Sequence, residues 1–399
     1  MKAWLLAGVA LAAGWAQAPD AARIRTVTAE IAAISGLEVK RDVPFESISR
    51  DGWKQWVDDE VRRTVKPEEI RADELALRLF GLIPKDFDLR KATVDLLGEQ
   101  AAALYDHRRK KMLFVQGATG GMEDAILVHE LSHAVADQHF DMRRFLDKTA
   151  KTDESATARL AVVEGQAMWI MVESQLRQAG GVSLTKSRQA LDLMLPAMGQ
   201  LAADSYPVFA RAPLYLRETL VFPYSAGIQF QQSAIEKLGR KGFTEVLRNP
   251  PNTTAEILHP ERWPAPAVPP PALPPIQGLK PHRLLSAGTL GELDLQILLK
   301  QYCGENEARD LAPHWRAGAF DLYEHKLTQH PLLRWAVQFD TPESARAFLA
   351  AYARVLQGKW PETGFSTRTE ALLEGTAATG AFRISADSAT VRALESLKR

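Results

Sequence analysis

Residues 129–133 read His-Glu-Leu-Ser-His, set in the apolar surroundings Ile126-Leu127-Val128, Leu131 and Ala134-Val135. On a helix, residues four apart share a face one turn apart, so His129 and His133 can offer both imidazoles to a single ion. Glu130 is rotated roughly 100° from His129. That offset keeps it from the same ligand position but lets it reach a water at the metal and take its proton. The apolar flanks predict a buried helix rather than a surface one.

A catalytic zinc site with two histidines needs a third protein ligand. Glu164 is the best candidate, 31 positions after His133 on a mostly apolar helical stretch from about Glu154 to Gln178. Its neighbours Ala161, Val163, Ala167 and Met168 turn it inward, and a buried acid is usually paired or bound to metal. Gly165 beside it predicts close approach of the zinc helix and this second helix. His139 is the rival, completing His-Glu-x-x-His-x-x-Ala-x-x-His. That arrangement needs a helix break where this chain has Ala136, which favours continuation. His139 is therefore expected to pack or to act behind the ligands.

These residues resemble the gluzincin type of zinc metallopeptidase. The resemblance rests on His129-Glu130-x-x-His133, on Glu164-Gly165-x-Ala167 and on Phe222-Pro223-Tyr224-Ser225-Ala226-Gly227. The last segment looks like the Pro-Tyr-x-x-Gly turn of aminopeptidase-like gluzincins, and the resemblance gives Tyr224 the role of hydrogen-bonding the oxyanion. The run from Phe230 to Leu247 is similar to the helix that follows in peptidase-MA-like domains. Together the pieces fall between about 90 and 250.

The chain departs from the pattern in three places. Met168 stands where thermolysin-like enzymes carry an acid that orients a zinc histidine, and Asp137, one turn after His133, is the candidate replacement. The gap from His133 to Glu164 is longer than in the aminopeptidases. Gly120-Gly121-Met122-Glu123-Asp124 echoes the segment that grips a free amino terminus, but lies too close to His129 to serve it. Exopeptidase activity is not supported.

The elements that must position these side chains follow from pattern. Amphipathic spacing predicts a helix from about Ala21 to Ile34. A short strand is expected over Glu38–Pro44, then helices near Ser47–Thr64 and Pro67–Phe80, the latter stopped by Gly81. Residues 101–115 read as strand, charged turn and strand. Lys111–Val115 is expected as the edge strand before the zinc helix, against which an extended peptide can pair; a plain hairpin packed on the core is the alternative. Further helices are expected over Ser187–Asp204 and through the Tyr224 segment to Asn249. The segment from Pro264 to Pro281 holds eight of the 23 prolines and is expected to be an extended boundary, or a belt along the catalytic domain. His259 just before it is expected to pack. Residues 283–399 read as a smaller α+β unit: helices over Leu290–Tyr302, Glu305–Trp315 and Pro342–Gln357, strands over Ala319–Lys326, Leu332–Phe339 and Gly380–Ala386.

Composition is that of a globular protein: 399 residues, 46% hydrophobic, 25% charged and a formal net charge of zero. Balanced charge argues against nucleic acid as a partner. The single cysteine, Cys303, excludes an intrachain disulfide. Lys2, an apolar run to about Ala16 and small residues up to Ala18 fit a secretory signal over 1–18, or an anchor if uncleaved.

The expected protein is thus α+β: a mostly helical zincin-like domain over 19–263, a Pro-rich linker over 264–282 and a C-terminal α+β domain over 283–399. The expected function is zinc-dependent hydrolysis of a peptide or protein substrate in the periplasm or outside a bacterial cell. Zn²⁺ would be held by His129, His133 and Glu164, with Glu130 as general base and Tyr224 at the oxyanion. The alternatives are an inactive peptidase-fold scaffold, a zinc hydrolase with a non-peptide substrate and an envelope interaction module.

Overall fold

A computed structural model describes residues 19–100, 103–116 and 123–397; the expected signal segment 1–18 lies outside them. The chain runs α1 (Ala21–Ser35), β1 (Phe45–Ile48), α2 (Arg50–Thr64), α3 (Pro67–Phe80), α4 (Leu89–Gln100), β2 (Ala103–Asp106), β3 (Lys111–Val115), α5 (Glu123–Phe140) and α6 (Asp153–Gln178). It continues through α7 (Gln189–Ser205), α8 (Pro207–Arg211), α9 (Leu214–Leu238), α10 (Gly242–Arg248) and α11 (Thr254–Leu258). Mixed α+β architecture is therefore the class observed. Among the described residues no helix is long and apolar enough to cross a membrane.

The small sheet differs from expectation in a way that matters for the site. Its order is β1-β3-β2, so Lys111–Val115 is the central strand and not the edge. Phe45–Ile48 takes up its far side in parallel, from Phe45 opposite Met112 to Ile48 opposite Val115. The strand expected over Glu38–Pro44 is irregular, and pairing starts only where the Pro44 carbonyl accepts from Met112 N at 2.8 Å. Proline has no N–H to give a ladder, which pushes the strand past it. The edge nearest α5 is β2. Side chains alternate across this sheet. Leu104, Leu113 and Val115 pack on Trp53, Val57 and Val61 of α2, while Ala103, Tyr105, Met112 and Phe114 join the main core around α5.

Helix α6 is the axis of the N-terminal half, buried almost continuously from Leu160 to Ser174. Thr152 caps it, accepting from Ser155 N at 3.1 Å. Gly165 does bring two helices together, but its partner is α9 rather than α5. A Cβ at Gly165 would stand 2.1 Å from the Gly227 carbonyl carbon, and one at Gly227 would stand 2.2 Å from Ala161 O. Both obstacles are backbone, so only paired glycines allow this crossing.

The C-terminal residues form an antiparallel sheet of seven strands: β4 (His282–Thr289), β5 (Trp315–His325), β6 (Pro331–Phe339), β7 (Gly364–Arg368), β8 (Leu372–Ala377), β9 (Gly380–Asp387) and β10 (Thr390–Leu397). Its order is β4-β5-β6-β10-β9-β8-β7. Helices α12 (Glu292–Cys303), α13 (Glu305–Leu311) and α14 (Pro342–Lys359) complete it. Trp335 and Phe339 of β6 meet Phe348 of α14 on one face. The alternate residue Arg334 and Arg392 of β10 face the other way. There they donate to Pro274 O and Ala272 O, so the Pro-rich segment is a belt on the C-terminal sheet, not on the N-terminal half.

Buried polar contacts join the two halves. Glu154, at the start of α6, accepts from Thr254 N at 2.9 Å, and Thr254 Oγ1 in turn accepts from Leu293 N of α12. Asp294 accepts from Tyr215 OH of α9. Burial, with the Asp294 charge close by, pushes the Glu154 carboxyl from 4.5 up to about 8. Between those values the folded chain keeps a proton that the unfolded chain has released. Stability is then expected to fall as pH rises from about 5 to about 8 and to level off beyond. Thermal unfolding across that range checks this, and Glu154→Gln should flatten the slope.

Candidate metal centre

Helix α5 presents His129 and His133 on one face, and α6 brings Glu164 against them. Glu164 Oε2 lies 3.1 Å from His129 Nε2 and 3.5 Å from His133 Nε2, and the two imidazole nitrogens are 3.2 Å apart. Donors 2.0–2.1 Å from one tetrahedral ion stand about 3.3–3.4 Å from each other, so this triangle has the size of a tetrahedral metal site. His129 and Glu164 are buried.

Glu130 also comes close, since His129, Glu130 and His133 offer ligand atoms within 4.8 Å of one another. The Glu164 triangle is tighter, and Glu130 is already engaged: its Oε2 accepts the backbone N–H of Tyr105 at 2.7 Å. Its Oε1 is buried and has no partner among the described residues. A carboxylate held by one oxygen with the other free suits a proton acceptor better than a ligand.

The electrostatics favour a cation. Two carboxylates and two imidazoles sit together in an apolar core, which is costly unless positive charge is supplied. Burial pushes Glu164 up, but the His133 and His129 rings outweigh it and hold the carboxyl at about 2. Burial pulls His133 down, yet the Glu164 charge overcomes this and raises its pKa. Glu130 is pushed up, mainly by burial, against the pull of the two rings.

Tyr224 joins this group, its ring stacked near His129 at 6.1 Å between centroids. The turn implied by the resemblance is absent. Phe222–Phe230 is the middle of the continuous helix α9, with Pro223 inside it. Proline removes one helical hydrogen bond, and the helix continues because Tyr224, Gly227 and Ile228 are packed against the core.

Three other sequence candidates fall elsewhere. Helix α5 continues through Phe140, so His139 is carried to another face, where its Nε2 meets Glu38 O at 2.8 Å. His259 Nε2 meets Glu292 Oε1 at 2.7 Å, a contact between the two halves. Asp137 is not paired with a ligand imidazole. It accepts from Tyr105 OH at 2.6 Å, Lys110 Nζ at 2.7 Å and Met142 N at 2.6 Å. Asp137 thereby anchors the side chain of the residue whose amide holds Glu130. Sequence reasoning missed Tyr105 because its contribution is a backbone N–H, which any residue but proline supplies.

A family described as "Domain of unknown function (DUF8575)" matches residues 282–398. No curated protein matches the chain. No solved structure matches it.

Proposed function

We propose that this chain is a zinc-dependent peptidase with a zincin-like catalytic half, acting on peptide or protein substrates in the bacterial envelope or outside the cell. The observation that carries the reading is the buried triangle of His129, His133 and Glu164 beside a carboxylate with one free oxygen. His129, His133 and Glu164 would hold the ion. Zinc suits two imidazoles and a carboxylate, and when bound it acidifies water and polarises a carbonyl.

The chain's own residues account for the rest. Glu130 Oε1 takes a proton from the attacking water, and as the C–N bond breaks it hands that proton to the leaving amine nitrogen. The Tyr105 amide steadies Glu130 Oε2, so the carboxylate turns its other oxygen to the reaction. Tyr224 donates its hydroxyl to the oxygen of the tetrahedral intermediate. Envelope localisation rests on the signal-like composition of residues 1–18.

Cleavage of a quenched peptide library by the zinc-loaded protein tests the reading. Tyr224→Phe should lower kcat by about 10²-fold, the usual loss for one oxyanion donor, with metal content unchanged. Stoichiometric zinc without cleavage of any peptide would favour the inactive scaffold instead.

A further inference from the structure

Helix α9 carries one continuous stripe past the metal centre. Leu214, Arg217, Val221, Tyr224, Ile228 and Gln231 recur at alternating steps of three and four, which places them on one helix face. Burial along that face changes at Tyr224. Tyr224, Ile228 and Gln231 are buried, whereas Leu214, Arg217 and Val221 are only half-covered. The face therefore opens towards the start of α9, and Arg217 stands on its open part. Tyr224 follows Arg217 by two helical turns, so the two side chains leave α9 in the same direction, about 10 Å apart along its axis.

Arg217 also differs from its peers in its partners. Eight arginines among the described residues are half-buried. Six of them have an Asp or Glu oxygen within 3.9 Å, and Arg159 lies over the Phe145 ring. Among the described residues Arg217 has neither. Its Nε is buried with no hydrogen-bond partner, which leaves the two terminal nitrogens as the part an occupant can reach. The next residue, Glu218, is turned round the helix to Lys300 at 3.0 Å. No acid stands in the first turn of α9, where the helix dipole adds to the attraction for an anion. A guanidinium partly out of water and without a counter-ion is costly, and its fork of donors matches a carboxylate.

We infer that Arg217 binds a carboxylate of the substrate, placed about three residues from the cleaved bond. The spacing follows from the distance between Arg217 and Tyr224, because an extended chain covers about 3.3 Å per residue. A free C-terminus and a Glu or Asp side chain both present this group. The inference rests on the peptidase reading for the identity of the substrate.

Cleavage by the zinc-loaded full chain is compared for peptides made as free acid or C-terminal amide, and with Glu or Gln at each position around the cut bond. One of these carboxylates should raise kcat/KM at least about tenfold over its neutral twin, mostly through KM, as a charged hydrogen bond remote from the reacting atoms does. Which pair responds tells a chain terminus from a side chain. In Arg217→Met the ratio should fall to about one, and Arg217→Lys, which keeps the charge without the fork, should retain part of it. Each ratio is taken within one protein, so impaired folding of a variant lowers both terms alike. The same peptides are titrated onto the Glu130→Gln protein. Carboxylate-selective binding that disappears when Arg217→Met is added, with no cleavage by the unmutated protein, would uphold the carboxylate site and sink the peptidase reading. Cleavage that ignores the carboxylate, or favours it equally in Arg217→Met, would overturn the site and leave the peptidase reading standing. Neither cleavage nor selective binding would overturn both.

Discussion

Glu130→Gln is expected to lower peptide turnover by about 10²–10⁴-fold, the contribution of a positioned general base, while the protein still binds its metal. The two halves of that result have separate origins. Gln keeps the volume of the side chain and an oxygen able to accept the Tyr105 amide, so α5 and the ligand triangle should be undisturbed. What it loses is the basic lone pair at Oε1, the atom that has no partner among the described residues. Equal losses in kcat and kcat/KM identify a transition-state role. Measuring zinc content and single-turnover rates on the same preparation separates this from a general loss of structure, because an unfolded site would lose both.

Glu395→Gln is expected to be among the most destabilising single changes in the chain, at about 3–5 kcal/mol, the cost of leaving a buried charge without its counter-ion. Lys359 Nζ is buried and donates to Glu395 Oε2 at 2.6 Å, Tyr352 OH at 3.0 Å and Leu79 O at 2.9 Å. The other Glu395 oxygen accepts from Trp335 Nε1 at 2.8 Å and Tyr352 OH at 2.6 Å. Burial pulls the Lys359 pKa down even with Glu395 beside it, so without that carboxylate the ammonium can persist only at high cost. Since Leu79 belongs to α3, the same contact fastens the C-terminal sheet to the N-terminal half, and loss should be felt on both sides. Urea unfolding followed by tryptophan fluorescence measures it. The pair Lys359→Met with Glu395→Gln should recover much of the loss, because neither charge then remains to be buried.

The four-residue spacing of His129 and His133 dictated a shared helix face, and Glu164 was identified by a charge among apolar neighbours. Both signals are local and periodic, which is what helix geometry writes into sequence. Helix α3 was bounded correctly from Pro67 to Phe80, since Pro at the first turn and Gly81 with φ 79° are local devices too. Strand order was not legible. Nothing local in Lys111–Val115 says that Phe45–Ile48, far back in the chain, will pair with it and leave β2 at the edge. Gly165 marked a close crossing, but its partner Gly227 is set by tertiary packing. Asp137 had the right spacing to orient a ligand, yet Tyr105 and Lys110 reach it first from the hairpin. The turn expected at Tyr224 failed because Pro and Gly are helix breakers only where packing does not override them.

X-ray absorption spectroscopy at the zinc edge of the purified protein reads the ligands of the ion itself. One zinc per chain is expected, bonded to two imidazole nitrogens and carboxylate oxygen, with loss of that signal in His133→Ala and Glu164→Ala. A protein that takes up no zinc under saturating conditions, or holds it equally well without Glu164, would contradict it.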